Sequence, residues 1–369
     1  MAKKKFFEKF DQGTLLKLKL LESYFKSWLP VFIQHTTIDQ INVFDFFCGP
    51  GVDKQNNYGS PLVILKTLEY FSEMIDKQSV NVDVYFSDSK KKYVDKLYNN
   101  LVDQSFELKN VSVHMDSVEF ENQFRNKMDH MSKRGAANFL FMDPFGVALT
   151  PEMFKKLMAL RYTDFLLFTP SAHFWRFKDS CERVKSVLPN FKLKEISAKE
   201  AHKEIFRIYK GQIPNNVKYY LAPFTIEDFR HSNVAGLIFG SKDLRGLEKF
   251  VDVCWEYDEQ NGECGIGLKS DLLPTQTLLP LGEYELSSKK RRLRKLIVEG
   301  LSSGKLVTNK DVFELAITRG LRGGQAKQVL TELKREKKVE NIPPLSYNYI
   351  YRKHRVERIL WCEHVQNQD

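Results

Sequence analysis

The sequence predicts an α/β protein: a doubly wound, Rossmann-like sheet of about seven strands followed by a C-terminal winged helix-turn-helix domain. Three observations carry that prediction. From Val43 to about Gly240, short apolar runs alternate with helix-length amphipathic stretches, the pattern of a parallel sheet covered on both faces. The first run, Val43-Phe44-Asp45-Phe46-Phe47, passes into Cys48-Gly49-Pro50-Gly51, a turn whose glycines let the chain bend sharply and a ligand approach the main chain. The charge is also lopsided. Residues 289–358 hold 19 Lys/Arg and 7 Asp/Glu, in a chain whose total net charge is +10.

Residues 1–40 read as an N-terminal helical extension. Leu18, Leu21, Phe25, Trp28, Leu29 and Phe32 recur at helical spacing between Leu15 and Phe32, with a stop near Pro30 or shortly after. The sheet domain, 41–270, takes strand one at 43–47 and a helix from Ser60 to Ile75 with Pro61 in its first turn. Strand two is Val82–Ser87, before a helix from Lys90 to about Leu101. Strand three is Val111–Met115, before a charged helix at 120–132. Strand four is Asn138–Met142, a helix runs from Pro151 to Tyr162, and strand five is Phe165–Thr169. Val217–Phe224 and Val234–Phe239 supply strands six and seven, the last antiparallel. That order matches the methyltransferase form of the doubly wound fold. An insertion at 171–216 carries Phe174, Trp175, Phe177 and a basic amphipathic helix from Lys199 to Lys210. Insertions at the carboxyl end of such a sheet often build a substrate wall.

A linker, 271–288, leads to the basic domain at 289–369. Lys289, Lys290, Arg291 and Arg292 open its first helix, Thr308 caps the second, and the third runs from Gln325 to Lys338. There Ala326, Val329, Leu330 and Leu333 share one face, while Lys327, Gln328, Lys334 and Arg335 point outward, a composition suited to a groove-reading helix. An apolar hairpin from Val339 to Tyr351 completes the winged helix. Such units bind nucleic acid, and they also dock proteins. A strongly basic segment beside a near-neutral domain favours nucleic acid, DNA or RNA.

Several classes are excluded. No apolar run is long enough to span a membrane. The start, Met1-Ala2-Lys3-Lys4-Lys5, lacks the features of a secretory signal. Five scattered cysteines without a C-x-x-C pair argue against structural zinc and disulfides and fit a cytoplasmic protein. The eight histidines form no metal-hydrolase motif, so no metal is expected.

Strand ends converge in a doubly wound sheet. The spacing Asp-x-Phe-x-Gly-x-Gly from Asp45 to Gly51 is the way many S-adenosylmethionine (SAM) methyltransferases open their cofactor site, which makes Asp45, Phe46, Gly49, Pro50 and Gly51 candidates for cofactor contact. Asp88 after strand two is placed to accept ribose hydroxyls, and Asp116-Ser117 after strand three to hold an adenine amine. Asp143-Pro144-Phe145-Gly146 follows strand four. Exocyclic-amine nucleic-acid methyltransferases place Asp/Asn-Pro-Pro-aromatic there, the acid holding the target NH2 and the aromatic stacking on the base. With Phe145 in place of the second proline, the run is similar to the Asp-Pro-Phe-Gly of tRNA guanine-N2 methyltransferases. Asp143, Pro144 and Phe145 are the catalytic candidates. No Pro-Cys pair follows strand four, which disfavours cytosine-C5 chemistry.

Taken together, the opening helix with Tyr24, Trp28 and Leu29, the Asp45–Gly51 turn, Gly59-Ser60-Pro61, Met142–Gly146, Val234–Gly240, Gly246-Leu247-Glu248-Lys249 and the basic C-terminal domain resemble the three-Cys-motif partner protein family over nearly the whole chain. The family is similar to Rossmann-type methyltransferases. The resemblance implies SAM as cofactor, a three-Cys-motif protein as partner and a bacterial setting linked to mobile elements or phage defence. It supplies no activity. Two functions therefore stand open: a SAM-dependent N-methyltransferase acting on a nucleic-acid base, and a non-catalytic nucleic-acid-binding sensor, regulator or partner-docking protein.

Overall fold

In the computed structural model, which describes residues 9–144, 149–171, 201–228, 233–259, 262, 264–265 and 282–362, all seven positions of β4 (Ala136–Met142) are buried. A strand can be apolar throughout only when it has neighbours on both edges and a layer on each face. The other strands are β1 (Gln40–Asp45), β2 (Asn81–Asp88), β3 (Val111–Ser117), β5 (Thr163–Thr169), β6 (Tyr220–Asp228), β7 (Asn233–Ser241) and the two-residue β8 (Cys264–Gly265). They lie in the order β3-β2-β1-β4-β5-β7-β6-β8. β1 to β5 pair parallel, and β7 runs antiparallel to β5 and β6. The first seven strands keep the expected order; β8 adds a short parallel pairing beside β6.

Two compact units divide the chain: described residues up to Lys249 with Cys264–Gly265, and Phe250 onward without them. In the first, the helices are α1 (Gln12–Ile33), α2 (Ser60–Tyr70), α3 (Ser72–Gln78), α4 (Lys91–Val102), α5 (Phe120–Ser132), α6 (Pro151–Ala159) and α7 (Ala201–Gly211). α8 (Leu244–Tyr257) runs across the division. Phe44, Phe46, Leu140, Met142, Phe165 and Leu167 join residues of α5, α6 and α7 in one buried cluster on one face of the sheet. The row Val43–Phe139–Asp164 faces the other way. There the rings of Tyr24, Phe25 and Trp28 on α1 lie 6.1, 4.9 and 5.4 Å from that of Phe139. α1 is thus a layer of this unit.

Local chemistry moves several boundaries. Asp11 caps α1 by accepting from the Thr14 N–H at 2.7 Å. α1 ends at Ile33, shortly after Pro30 as expected; the proline falls in the last turn, where its carbonyl accepts from the Gln34 N–H. The helix expected from Ser60 to Ile75 breaks at Phe71, which leaves helical geometry between α2 and α3. β1 ends at Asp45, because that side chain turns back onto the Phe47 N–H. Phe174, Trp175 and Phe177 lie outside the described residues.

The second unit holds α9 (Gly282–Ser302), α10 (Asn309–Thr318) and α11 (Gly323–Arg335). Leu293, Ile297, Val312, Phe313, Ala326, Val329, Leu330 and Leu333 are buried. Thr308 and Asp311 form a capping box at α10. The expected Val339–Tyr351 hairpin does not form. Pro343 and Pro344 supply no N–H to a ladder, and Asn348–Arg352 winds into a π-helical turn. Instead residues 338–340 pair with 360–362 through Glu340 N–H to Leu360 O at 3.0 Å and Cys362 N–H to Lys338 O at 2.9 Å. Ile359 N–H bonds Val307 O at 2.8 Å.

The docking of α1 rests on Phe139, so Phe139→Ala is expected to cost about 3–5 kcal/mol in urea denaturation. A loss below about 1 kcal/mol would show that α1 packs independently of that ring.

Candidate active site at the carboxyl ends of β1, β2 and β4

Gly49 and Gly51 have φ of 59° and 81°, the left-handed region that glycine enters without strain. At Gly51 space forbids a side chain as well: a Cβ would lie 2.6 Å from Leu97 Cδ1 and 2.9 Å from Leu62 Cδ1. The turn is stitched down by Cys48 N–H to Ser87 O at 3.0 Å, Gly59 N–H to Gly51 O at 2.7 Å and Asn100 Nδ2 to Pro50 O at 2.7 Å. Asp53, absent from the sequence-derived candidates, is the knot of the loop that follows. It accepts from the N–H groups of Phe10, Gln55 and Asn57 at 2.8, 2.8 and 2.9 Å. Although burial raises its pKa, these bonds and that of the Asn57 side chain outweigh burial and hold it below the usual range.

Asp45 is fully buried at the end of β1. Its Oδ1 accepts from Phe47 N–H at 3.2 Å, while Oδ2 has no hydrogen-bond partner among the described residues. Burial pushes its pKa up to about 7, aided by Asp143 and Asp88 and opposed by bonds from Ser60 and Phe47. Asp88 is also buried. Its Oδ1 accepts from Lys90 N–H at 2.8 Å, and burial raises its pKa against that bond and one from Gly49. Ser117 pairs in register with Asp88, and Asp116 with Ser87. Asp116 and Ser117 are exposed, on the edge strand, and Asp116 accepts from Gln123 Nε2 at 3.0 Å. The Phe46 side chain belongs to the opposite face, stacked at 5.5 Å on Phe44 and 5.1 Å from Phe120, so only its backbone frames the turn. Cys48 is a packing residue whose thiol pKa is driven up by burial.

Asp143 is the residue after β4. Asp45 pairs with Phe141, so Asp143 stands two residues further on the same face, roughly 8 Å away by strand spacing and rise. The sequence reading missed its partner. The ammonium of Lys17, from α1, bonds Asp143 Oδ2 and lies 4.5 Å from the centroid of the Phe168 ring. The side chains of Lys17 and Asp143 are 3% and 19% exposed. The signal was present, since position 17 continues the stripe of Leu21, Tyr24 and Trp28, and a lysine on an apolar face needs an anion. Pro144 is buried; Phe145 lies outside the described residues.

Also missed was His202 on α7, fully buried near the end of β5, its Nδ1 3.0 Å from Thr169 Oγ1 and 3.2 Å from Ser171 Oγ. Burial lowers its pKa to about 4, which keeps the ring neutral. Among the described residues there is no cluster of metal-ligating groups and no helix long and apolar enough to cross a membrane.

The basic candidates of the second unit divide. Lys290 pairs with Glu332 at 2.5 Å, as Arg294 does with Glu336 at 2.7 Å, so part of the basic run joins α9 to α11. The Lys289 ammonium lies 5.6 Å from the Trp255 ring centroid. Arg291 and Arg292 are exposed, as are Lys327, Gln328, Lys334 and Arg335 on the outer side of α11.

Known structures resemble this chain only loosely. Trm1 from Pyrococcus horikoshii, solved with S-adenosyl-L-methionine, matches at 12% identity with a TM-score of 0.40, over 93% of this chain and 81% of that one. A SAM-dependent methyltransferase from Agrobacterium tumefaciens matches at 10% identity and a TM-score of 0.33, over 63% and 62%. One from Methanosarcina mazei matches at 10% and 0.27, over 57% and 95%. No family model and no curated protein matches.

Removing one partner of the Lys17–Asp143 pair leaves a charge stranded in the protein. Asp143→Asn is expected to cost about 3 kcal/mol in urea denaturation, and the double variant Lys17→Met/Asp143→Asn to recover most of it. Additive losses would show that the pair does not couple. Asp45 gives a pH signature. Its folded pKa is raised to about 7, so the folded state keeps a proton that the unfolded state, titrating near 3.9, releases. Stability is therefore lost as pH rises between these values. Between pH 5 and pH 8, Asp45→Asn should gain about 2–3 kcal/mol relative to wild type, and a pH-independent difference would contradict the assignment.

Proposed function

We propose that the first unit binds SAM and transfers its methyl group to an exocyclic amine of a nucleic-acid base. The observation that carries this reading is the buried Asp45 Oδ2, which has no hydrogen-bond partner among the described residues, beside a turn whose Gly49 and Gly51 take positive φ, with Asp143 on the same face one strand away. A buried carboxyl that gives up its proton near pH 7, next to open main chain, suits a cationic ligand with a backbone-contacting tail. Bound SAM would supply an electrophilic methyl group on a sulfonium.

In this reading each residue has a role. Gly49, Pro50 and Gly51 shape the close backbone approach, and Asp45 faces the cationic amino-acid end. Asp88 is the acceptor for ribose hydroxyls, and Asp116-Ser117 at the sheet edge serve the adenine. Asp143 takes a hydrogen of the target amine through Oδ1, since Lys17 holds Oδ2, and so aims the nitrogen lone pair. Pro144 stiffens the approach, and Phe145 stacks on the base. Positioning of this kind supplies at best roughly 7–11 kcal/mol of a barrier. We read the second unit as a winged helix whose exposed Arg291, Arg292, Lys327, Gln328, Lys334 and Arg335, together with Lys289 and Lys290, hold the nucleic acid. The family resemblance supports a three-Cys-motif partner and a bacterial defence setting.

A second reading has its own observation. Lys17 already neutralises Asp143, which a non-catalytic sensor could keep permanently. Calorimetry with SAM, and labelled-methyl transfer to total cellular RNA and DNA by wild type and Asp143→Asn, separate the two. The first reading expects binding well tighter than millimolar, about −4 kcal/mol, with proton release from Asp45 visible in buffers of different ionisation enthalpy. It also expects transfer that Asp143→Asn reduces at least about 100-fold. Absence of binding would sink both cofactor and reaction. Binding without transfer would favour the sensor.

A further inference from the structure

At the opposite end of the sheet, the amino ends of β4 and β5 border a cavity of about 720 Å³ lined by Lys133, Arg134, Lys156 and Arg161, with no carboxylate among its lining residues. We propose that this groove binds a nucleotide, its phosphate held by the four cations and its base stacked on Tyr162. Nothing in it depends on SAM.

The charge is local. Outside residues 289–358 the chain holds 38 Lys/Arg and 40 Asp/Glu, so four cations around one hollow are not a sample of a generally basic surface. Lys156 shares Glu152 at 2.8 Å, while Lys133, Arg134 and Arg161 have no ion-pair partner among the described residues. The volume falls within the range of small-ligand sites, and its floor, with Met131 among its residues, is partly apolar, as a base requires.

The aromatic is held in place at a cost. Tyr162 has φ of 45°, a strained value for a bulky side chain. A buried polar network enforces it. Asn138 N–H donates to Tyr162 O at 2.8 Å, Asn138 Nδ2 to Thr163 Oγ1 at 2.9 Å, and Thr163 Oγ1 to Arg161 O at 2.8 Å. Asn42 Nδ2 bonds Asn138 Oδ1 at 2.9 Å from the neighbouring strand. The Tyr162 ring is backed by Phe32 at 6.0 Å and His35 at 5.2 Å and stays 38% exposed. Glycine or asparagine is the residue favoured at this φ, and tyrosine holds it at a cost. Strain, a dedicated network and an exposed ring beside Arg161 together describe a preformed stacking platform with a phosphate clamp.

The four cations also lie near the negative ends of α5 and α6, where they would favour the helices without any ligand. That role predicts a loss of stability alone, which the test separates. The full chain is titrated calorimetrically with AMP and, separately, with a short single-stranded oligonucleotide, for wild type, Lys133→Glu/Arg161→Glu and Tyr162→Gly, with thermal unfolding beside each. Both variants should weaken binding of at least one probe by about tenfold or more, while Tyr162→Gly keeps its melting temperature because the strained φ is relieved. Loss for AMP identifies a free nucleotide as the occupant; loss for the oligonucleotide alone identifies a nucleotide within a strand. Unchanged affinity for both probes, with or without a lower melting temperature, overturns the proposal.

Discussion

The ion pair of Lys17 with Asp143 is the contact on which the rest of the first unit turns, because it solves the problem that one face of the sheet sets for itself. Among the carboxylates on that face are Asp45, Asp143 and Asp164, and the helix above it has a largely aromatic inner side. A charge enclosed there must be neutralised, hydrogen-bonded or protonated. Asp164 takes hydrogen bonds from the hydroxyls of Ser241 and, at 2.6 Å, of Tyr24, and burial raises its pKa to about 7. Asp143 takes an ammonium. Asp45 takes Phe47 and Ser60, and its Oδ2 has no partner among the described residues. Two of the three are finished within the fold and one is left to be completed from outside, and that asymmetry marks the site more sharply than any motif does.

α1 therefore does more than cover apolar surface. Lys17 reaches the carboxyl end of β4, Tyr24 reaches the start of β5 through Asp164, and Phe32 backs Tyr162 just before it. One helix of 22 residues thus touches both ends of the sheet.

The alternation of strands and helices, their order and the Asp45–Gly51 turn were legible in the sequence because they depend on local pattern: period-two burial, glycine at positive φ, proline in a first helical turn. What escaped depends on partners distant in the chain. Lys17 and Asp143 are separated by 126 residues, and no spacing rule links them, although a lysine on an apolar stripe called for an anion. His202 looked like one polar residue of an amphipathic helix, yet it is enclosed because Gly236 leaves room for its ring; a Cβ there would lie 2.3 Å from Nε2. The C-terminal hairpin was misplaced because Tyr and Ile in 345–351 mimic a strand, while the pair of prolines ahead of them withholds the ladder. Lys289, Lys290, Arg291 and Arg292 read together as nucleic-acid contacts, but Lys290 faces Glu332, as Arg294 faces Glu336, a pairing visible only once α9 and α11 are side by side.

The same pair also indicates which kind of chemistry Asp143 can do. A carboxylate offers about four lone-pair sites, and an ammonium on Oδ2 leaves Oδ1 able to accept. With its side chain 19% exposed, Asp143 is within reach of a group arriving from solvent, while Lys17, at 3%, is not. Lys17 fixes the orientation of the carboxylate and balances its charge, which suits an acceptor that aims an incoming donor better than a base that must carry a proton away. An amine attacking a sulfonium methyl needs no proton removed before its lone pair is used; it needs that lone pair held in line. Under the proposed function, a carboxylate clamped from behind by a buried lysine, on the face shared with Asp45, would serve that task.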